Sequence, residues 1–80
     1  MSVERDTIHR FVAGHVHGVP FDDSTDLFAG GLVNSLFAVQ IVMWVERTFP
    51  VEVRGEDLDM RNFHSVDAIT RFVRRRAVSP

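Results

Sequence analysis

Apolar residues recur along this chain at helical spacing in three places, and polar, glycine- or proline-containing stretches separate them. Ile8, Phe11, Val12 and His15 or Val16 share one face of a segment from about Val3 to about Val16, which predicts a first helix ended by Gly18 and Pro20. The segment from Ser35 to Phe49 contains neither glycine nor proline, and Pro50 stops it by removing a backbone donor. It predicts a second helix of about four turns. Val66, Ile69, Phe72 and Val73 repeat the pattern near the C-terminus, with Ser65 placed to cap that last helix. Between the second and last helices, Val51 and Val53 read as apolar anchors of an extended link, and Glu56 to Arg61 as a short helix of one or two turns. No stretch alternates with strand period. The expected fold is therefore all-α, a four-helix bundle with three long helices and one short one.

The connection from Phe21 to Gly31 is long, and its polar run Asp22-Asp23-Ser24-Thr25-Asp26 cannot bury itself. Leu27 and Phe28 can plug back into the core. Projected at about 100° per residue, the second helix divides its side chains into two sets. Ala38, Ile41, Val42, Val45 and Phe49 form the stripe expected to be buried. Leu36, Gln40, Met43 and Arg47 fall on the opposite side, with Phe37 and Trp44 along one border and Val39 and Glu46 along the other. That outer face is unusually apolar, which marks it as a candidate docking surface. Phe37 and Trp44 have an alternative, folding against the loop of residues 21 to 27 to extend the core.

Size and charge narrow the function. Eighty residues with 45% hydrophobic content support one small domain, with its core over about residues 4 to 75. An enclosed substrate pocket of the usual ~300 Å³ or more hardly fits, which favours a carrier or adaptor over an enzyme. A net charge of −2 offers no general field for nucleic acid. The one basic cluster, Arg71, Arg74, Arg75 and Arg76, falls at a helix C-terminus, where cations suit the dipole, and reads as a solvated helix end. The chain has no cysteine, so neither disulfides nor thiolate metal sites contribute. No segment approaches the roughly eighteen consecutive apolar residues of a membrane span, and no apolar signal segment follows the charged start. A monomer with the cytoplasm as default compartment and no membrane partner is expected.

Among the four histidines, His15 and His17 stand two apart and would point about 200° from each other on a helix, with no third ligand in view. Glu56, Asp57 and Asp59 lack the spacing of a calcium loop and are expected to line the short helix. Neither group predicts a metal.

Candidate chemistry concentrates at Ser35, where a glycine-bearing loop becomes the second helix. A hydroxyl there can serve as a helix cap and as an attachment point. The residues Gly31, Asn34-Ser35-Leu36, Glu46 and Phe49, with Asn62-Phe63-His64-Ser65-Val66-Asp67-Ala68-Ile69 downstream, resemble the acyl carrier proteins. Their pattern is a glycine, then Asp-Ser-Leu opening a helix that ends in Glu-x-x-Phe. The resemblance implies that Ser35 carries a 4'-phosphopantetheine arm, transferred from coenzyme A by a magnesium-dependent phosphopantetheinyl transferase, and that the chain is a carrier with no catalysis of its own. The arm would hold an acyl unit as a thioester. The implied docking residues are Asn34, Leu36, Phe37, Gln40, Met43, Trp44 and Arg47.

Two departures refine the resemblance. Asn34 replaces the usual aspartate, keeping a capping side chain while removing a charge. Phe37, Gln40 and Arg47 stand where carriers of fatty-acid synthesis present acidic residues, leaving Glu46 as the acidic one, so another pathway is implied. The run Gly31-Leu32-Val33-Asn34-Ser35-Leu36-Phe37-Ala38, with Asp57-Leu58-Asp59 and Asn62-Phe63, is most similar to discrete carriers of specialised polyketide pathways that hold glyceryl, hydroxymalonyl or methoxymalonyl units. Such a carrier works with an acyl-loading enzyme and a polyketide synthase acyltransferase or ketosynthase. The alternatives are a carrier of aminoacyl or peptidyl groups and an unmodified helical interaction module.

Overall fold

Among the residues that the computed structural model describes, four helices follow one another: α1 (Val3–Ala13), α2 (Ser35–Thr48), α3 (Met60–Phe63) and α4 (Val66–Ala77), with a 3-10 turn at Gly55–Asp57 before α3. The structure describes residues 3–16, 20–29, 31 and 34–77, and of Ser35, Met60 and Ala77 the backbone alone. Among the described residues there is no strand. The fold is the all-helical bundle expected, with three long helices and one short one.

Element ends differ from expectation in instructive ways. Helix α1 stops at Ala13 rather than near Val16, because Gly14, a poor helix former, follows and the regular ladder lapses into turns. The amides of His15 and Val16 both donate to the Val12 carbonyl, at 2.9 and 3.0 Å. Gly18, the expected terminator, lies outside the described residues, and Pro20 lies well beyond the actual end. Helix α2 ends at Thr48 as Pro50 requires, with the Phe49 amide making the last bond back to Val45 at 3.0 Å. The short helix lies at Met60–Phe63 rather than Glu56 to Arg61. Asp57 and Asp59 explain the shift, because each carboxylate binds a nearby backbone amide and breaks the segment into a turn and a new helix start. Ser65 caps α4 as expected, its Oγ accepting the Ala68 amide at 3.0 Å.

Helix α4 supplies the centre of the core, packing against both α1 and α3. Val66, Ile69, Phe72 and Val73 are buried, with Ile8 and Val12 from α1 and Phe63 from α3. Thr70 is buried as well and satisfies its hydroxyl by donating to the Val66 carbonyl at 2.7 Å. The long connection is nailed down at Leu27, which is fully buried and whose amide donates to the His64 carbonyl at 2.8 Å. Phe28 is half-buried. Val51 and Val53 pack on the core from the link before α3, as their spacing predicted.

A polar knot ties the start of that connection to two helices. Asp23 accepts from His9 Nδ1 at 2.8 Å and pairs with Arg5 at 3.6 Å, while Arg5 also pairs with Asp67 of α4. The Asp67 amide closes the knot on the Asp23 carbonyl at 2.8 Å. The His9 ring stacks on Phe21 with centroids 4.7 Å apart. The first part of the connection is thereby fixed to α1 and α4 at Asp23.

Candidate functional site

The approach to α2 is a series of turns closed by side chains. Asp22 accepts the amide and hydroxyl of Ser24 and the hydroxyl of Thr25, which holds its carboxyl below the usual carboxylate range. Asp26 accepts the amides of Phe28 and Ala29 at 3.1 and 2.9 Å. Gly31 then adopts φ +75°, a left-handed conformation that side-chain-bearing residues rarely take. This explains why a glycine stands there.

Asn34 caps α2. Its backbone is extended, and its side-chain oxygen accepts the Phe37 amide at 3.1 Å. Ser35 is therefore the first helical residue, one position past the cap it was expected to supply, and the side chain of Ser35 lies outside the described residues. The first turn of α2 contains no carboxylate of its own to meet the positive dipole end.

The two faces of α2 divide differently from the projection. Ile41 and Val45 are buried as expected, and Ala38, Val42 and Phe49 are half-buried. Phe37, expected at the border of the docking face, is 7% exposed and belongs to the core. Trp44 is half-buried beside it. The reason is α1 and the turn after it rather than the loop of residues 21 to 27: Phe11 stacks on Trp44 and Phe37 at 4.3 and 5.8 Å, and His15 lies 4.6 Å from Phe37. Phe49 meets Trp44 edge-on at 5.7 Å. Among the expected docking residues, Asn34, Leu36, Gln40, Met43 and Arg47 are exposed, with Leu36 at 69% and Met43 at 52%.

Met43 forms a ridge between two grooves. One, of about 310 Å³, is lined only by the apolar side chains of Ala38, Val39, Val42, Met43 and Leu58. The other, of about 300 Å³, lies between α1 and α2 and is lined by Phe11, His15, Gln40, Met43, Trp44 and Arg47. Sequence reasoning left Val39 at a border and missed Leu58, which are 56% and 61% exposed. The one signal for Leu58 is its place between Asp57 and Asp59, since Asp57 turns inward and sends its neighbour out.

Glu46 is exposed, yet it also has a structural partner. Its carboxylate accepts the Val53 amide at 2.9 Å and anchors the link that follows α2. Together with Phe49, it gives the Glu-x-x-Phe end of α2 a structural purpose.

The acidic and basic clusters hold each other. Asp57 is buried, accepts the Arg54 amide at 3.0 Å and pairs with Arg76. The Arg54 amide, and then Arg76, keep its carboxyl below the usual range against the opposing effect of burial. Arg75 donates to Asn62 at 3.2 Å, Arg74 pairs with Glu4 at 3.7 Å, and both Arg75 and Arg76 lie over the Phe72 ring at 5.9 and 5.7 Å. The cluster expected to be merely solvated is thus engaged through Arg74, Arg75 and Arg76, and Arg71 is exposed. Asp59 caps α3 through the Arg61 amide at 2.8 Å and pairs with the Arg61 side chain, which lowers its own pKa and raises that of Arg61.

His15 Nδ1 lies 3.0 Å from the Phe11 carbonyl, and His64 Nδ1 lies 4.0 Å from Asp26, too far for a hydrogen bond. His17 lies outside the described residues. No group of three or more histidines and carboxylates among the described residues is placed to hold a metal ion. No helix among them is long and apolar enough to cross a membrane.

Neither a curated protein nor a solved structure matches the chain. A family does: the phosphopantetheine attachment site family matches residues 12–73, which take in the end of α1, the whole connection, α2, α3 and most of α4. Members of this family are non-catalytic carriers, modified by a phosphopantetheinyl transferase and served by acyl-handling enzymes. With that match running across the all-helical bundle and the capped start of α2, the chain belongs to the phosphopantetheine attachment family, and it is a carrier of 4'-phosphopantetheine rather than an enzyme.

Proposed function

We propose that Ser35 is the residue that takes the phosphopantetheine arm, and that the loaded chain delivers a glycerate-derived acyl unit to enzymes of a specialised polyketide pathway. The observation that carries the first half is the place of Ser35 as the opening residue of α2, inside the matched region and directly after the Asn34 cap. A phosphodiester at a helix start is favoured by the first-turn amides and the positive end of the dipole. The first turn of α2 holds no carboxylate to repel it.

In the transfer, Ser35 Oγ forms a bond to the phosphorus next to pantetheine in coenzyme A. The pyrophosphate bond breaks and adenosine 3',5'-bisphosphate leaves. The hydroxyl proton must pass to a base of the transferase, because no histidine or carboxylate is close to Ser35 in sequence. When bound, the arm supplies a thiol that holds an acyl group as a thioester. The residues of this chain present that thiol: Asn34 and Gly31 fix the start of α2, and Leu36, Gln40, Met43 and Arg47 offer the surface on which partners dock.

The polyketide assignment is supported by the run from Gly31 to Ala38 with Asp57-Leu58-Asp59, and by an α2 whose single carboxylate is Glu46. The partners proposed are an acyl-loading enzyme and a polyketide synthase acyltransferase or ketosynthase.

Intact mass after incubation with coenzyme A, magnesium and a broad-specificity transferase tests the site. A gain of one phosphopantetheine on the wild type and none on Ser35→Ala is expected. No gain on either, with a known carrier modified in parallel, would overturn it. The modified protein offered to glycerate-, malonyl- and aminoacyl-loading enzymes then tests the cargo, and acceptance of the aminoacyl group alone would reject the polyketide assignment.

A further inference from the structure

We infer that the partner surface received by α2 is apolar at its centre and carries a carboxylate opposite Arg47, in a footprint astride Met43. The inference rests on the carrier reading only for the partner being an acyl-handling enzyme; the chemistry of the surface follows from the side chains of this chain.

Leu36, Val39, Met43 and Leu58 are all more than half exposed and lie along or beside one helix. A concentration of aliphatic side chains of this kind is removed from water by a partner, not by the rest of the fold. The two grooves flanking Met43 give that partner places to seat side chains, one groove purely apolar and the other ending at Gln40, His15 and Arg47.

Charge then selects the partner. Helix α2 carries only two ionised side chains, Glu46 and Arg47. The Glu46 carboxylate is exposed but accepts the Val53 amide of the following link, and it lines neither groove, nor does any other carboxylate. Arg47 is exposed and forms no ion pair with any described residue. A basic partner surface would bury an uncompensated guanidinium, which is costly, whereas a carboxylate would pair with it. The same reasoning disfavours a second copy of this chain, because a two-fold contact through this face would offer neither Arg47 a carboxylate from the grooves of the other copy. An anionic lipid surface is a poor fit, since membrane attraction is built from clusters of basic residues and α2 offers a single arginine.

The test uses the full chain, isotope-labelled, and two synthetic helical peptides with the same leucine stripe, flanked in one by glutamates and in the other by lysines. The glutamate peptide is expected to shift the amides of residues 39–47 and 58 and to bind about tenfold tighter than the lysine peptide. Arg47→Glu should reverse that preference, and Met43→Ser should weaken both peptides alike. Raised salt should erase the difference between the peptides while leaving the common apolar affinity. Equal binding, a preference for lysine, no binding of either peptide, or shifts confined to other helices would overturn the inference. So would concentration-dependent self-association through the same amides, or binding of the free chain to phosphatidylserine vesicles through them. Ser35→Ala, which cannot be modified, should bind the peptides like the wild type, so failure of the attachment assignment reads out separately in the mass measurement.

Discussion

Helices α4 and α2 are similar in length, yet they treat water in opposite ways. Helix α4 buries Val66, Ile69, Phe72 and Val73 and turns arginines outward, where Arg74, Arg75 and Arg76 find partners in α1, α3 and the preceding turn. Helix α2 buries Phe37, Ile41 and Val45 and still turns Leu36, Val39 and Met43 outward. The first arrangement is what folding by itself favours. The second leaves apolar surface exposed with no gain to the isolated chain, and it stands beside the serine proposed to be modified. Under the proposed function, α4 serves stability alone, whereas α2 serves stability on one face and use on the other.

The comparison is most severely tested in the core. Phe72→Ala in α4 removes a fully buried ring that also supports two arginines, and should cost about 3–5 kcal/mol, enough to unfold much of a small domain. Chemical denaturation followed by circular dichroism measures it. A loss under about 1 kcal/mol would mean that α4 is not the centre of the core.

Asp57→Asn examines the polar side of α4 through pH. The carboxyl of Asp57 is held below its ordinary value, so its stabilising effect is present above the unfolded value of about 3.9 and fades as pH falls through the folded one. The wild type should therefore be more stable than the variant at pH 7, with the gap closing below about pH 4 in thermal melts. A gap that persists in acid would show that the side chain acts through shape and not charge.

At the start of α2, Asn34→Ala removes the cap and should cost about 1 kcal/mol, while Ser35→Ala should cost less because Asn34 supplies the cap. Paired melting curves distinguish them, and a larger loss for Ser35→Ala would reverse the assignment of the cap. The smallest effect on stability belongs to the outer face. Met43→Ser should change the unfolding free energy by no more than about 0.5 kcal/mol while weakening acyl transfer by partner enzymes. A marked loss of stability would place Met43 in the core and remove it from the docking surface.

Much of this was legible in the residues. The three long helices follow from apolar spacing, the cap of α4 from Ser65, the end of α2 from Pro50, and the carrier family from Gly31, Asn34-Ser35-Leu36, Glu46 and Phe49. Local signals sufficed there because each is read by its own backbone within a few residues. Spacing also placed Ile41 and Val45 inward and Leu36 and Met43 outward.

Tertiary structure decided the rest. Phe37 lies on the border of the α2 projection, and only the approach of Phe11 from α1 and His15 from the turn after it moves it into the core. The arginines of α4 read as a solvated end until Asp57, distant in sequence, turns inward to meet Arg76. Leu58 becomes part of a groove beside α2 for the same reason, because burying Asp57 sends the next side chain outward. Periodicity determines which residues of a helix share a face. Which of two apolar faces is covered depends on aromatic rings and charges brought in from other helices, and only the packed chain brings them together.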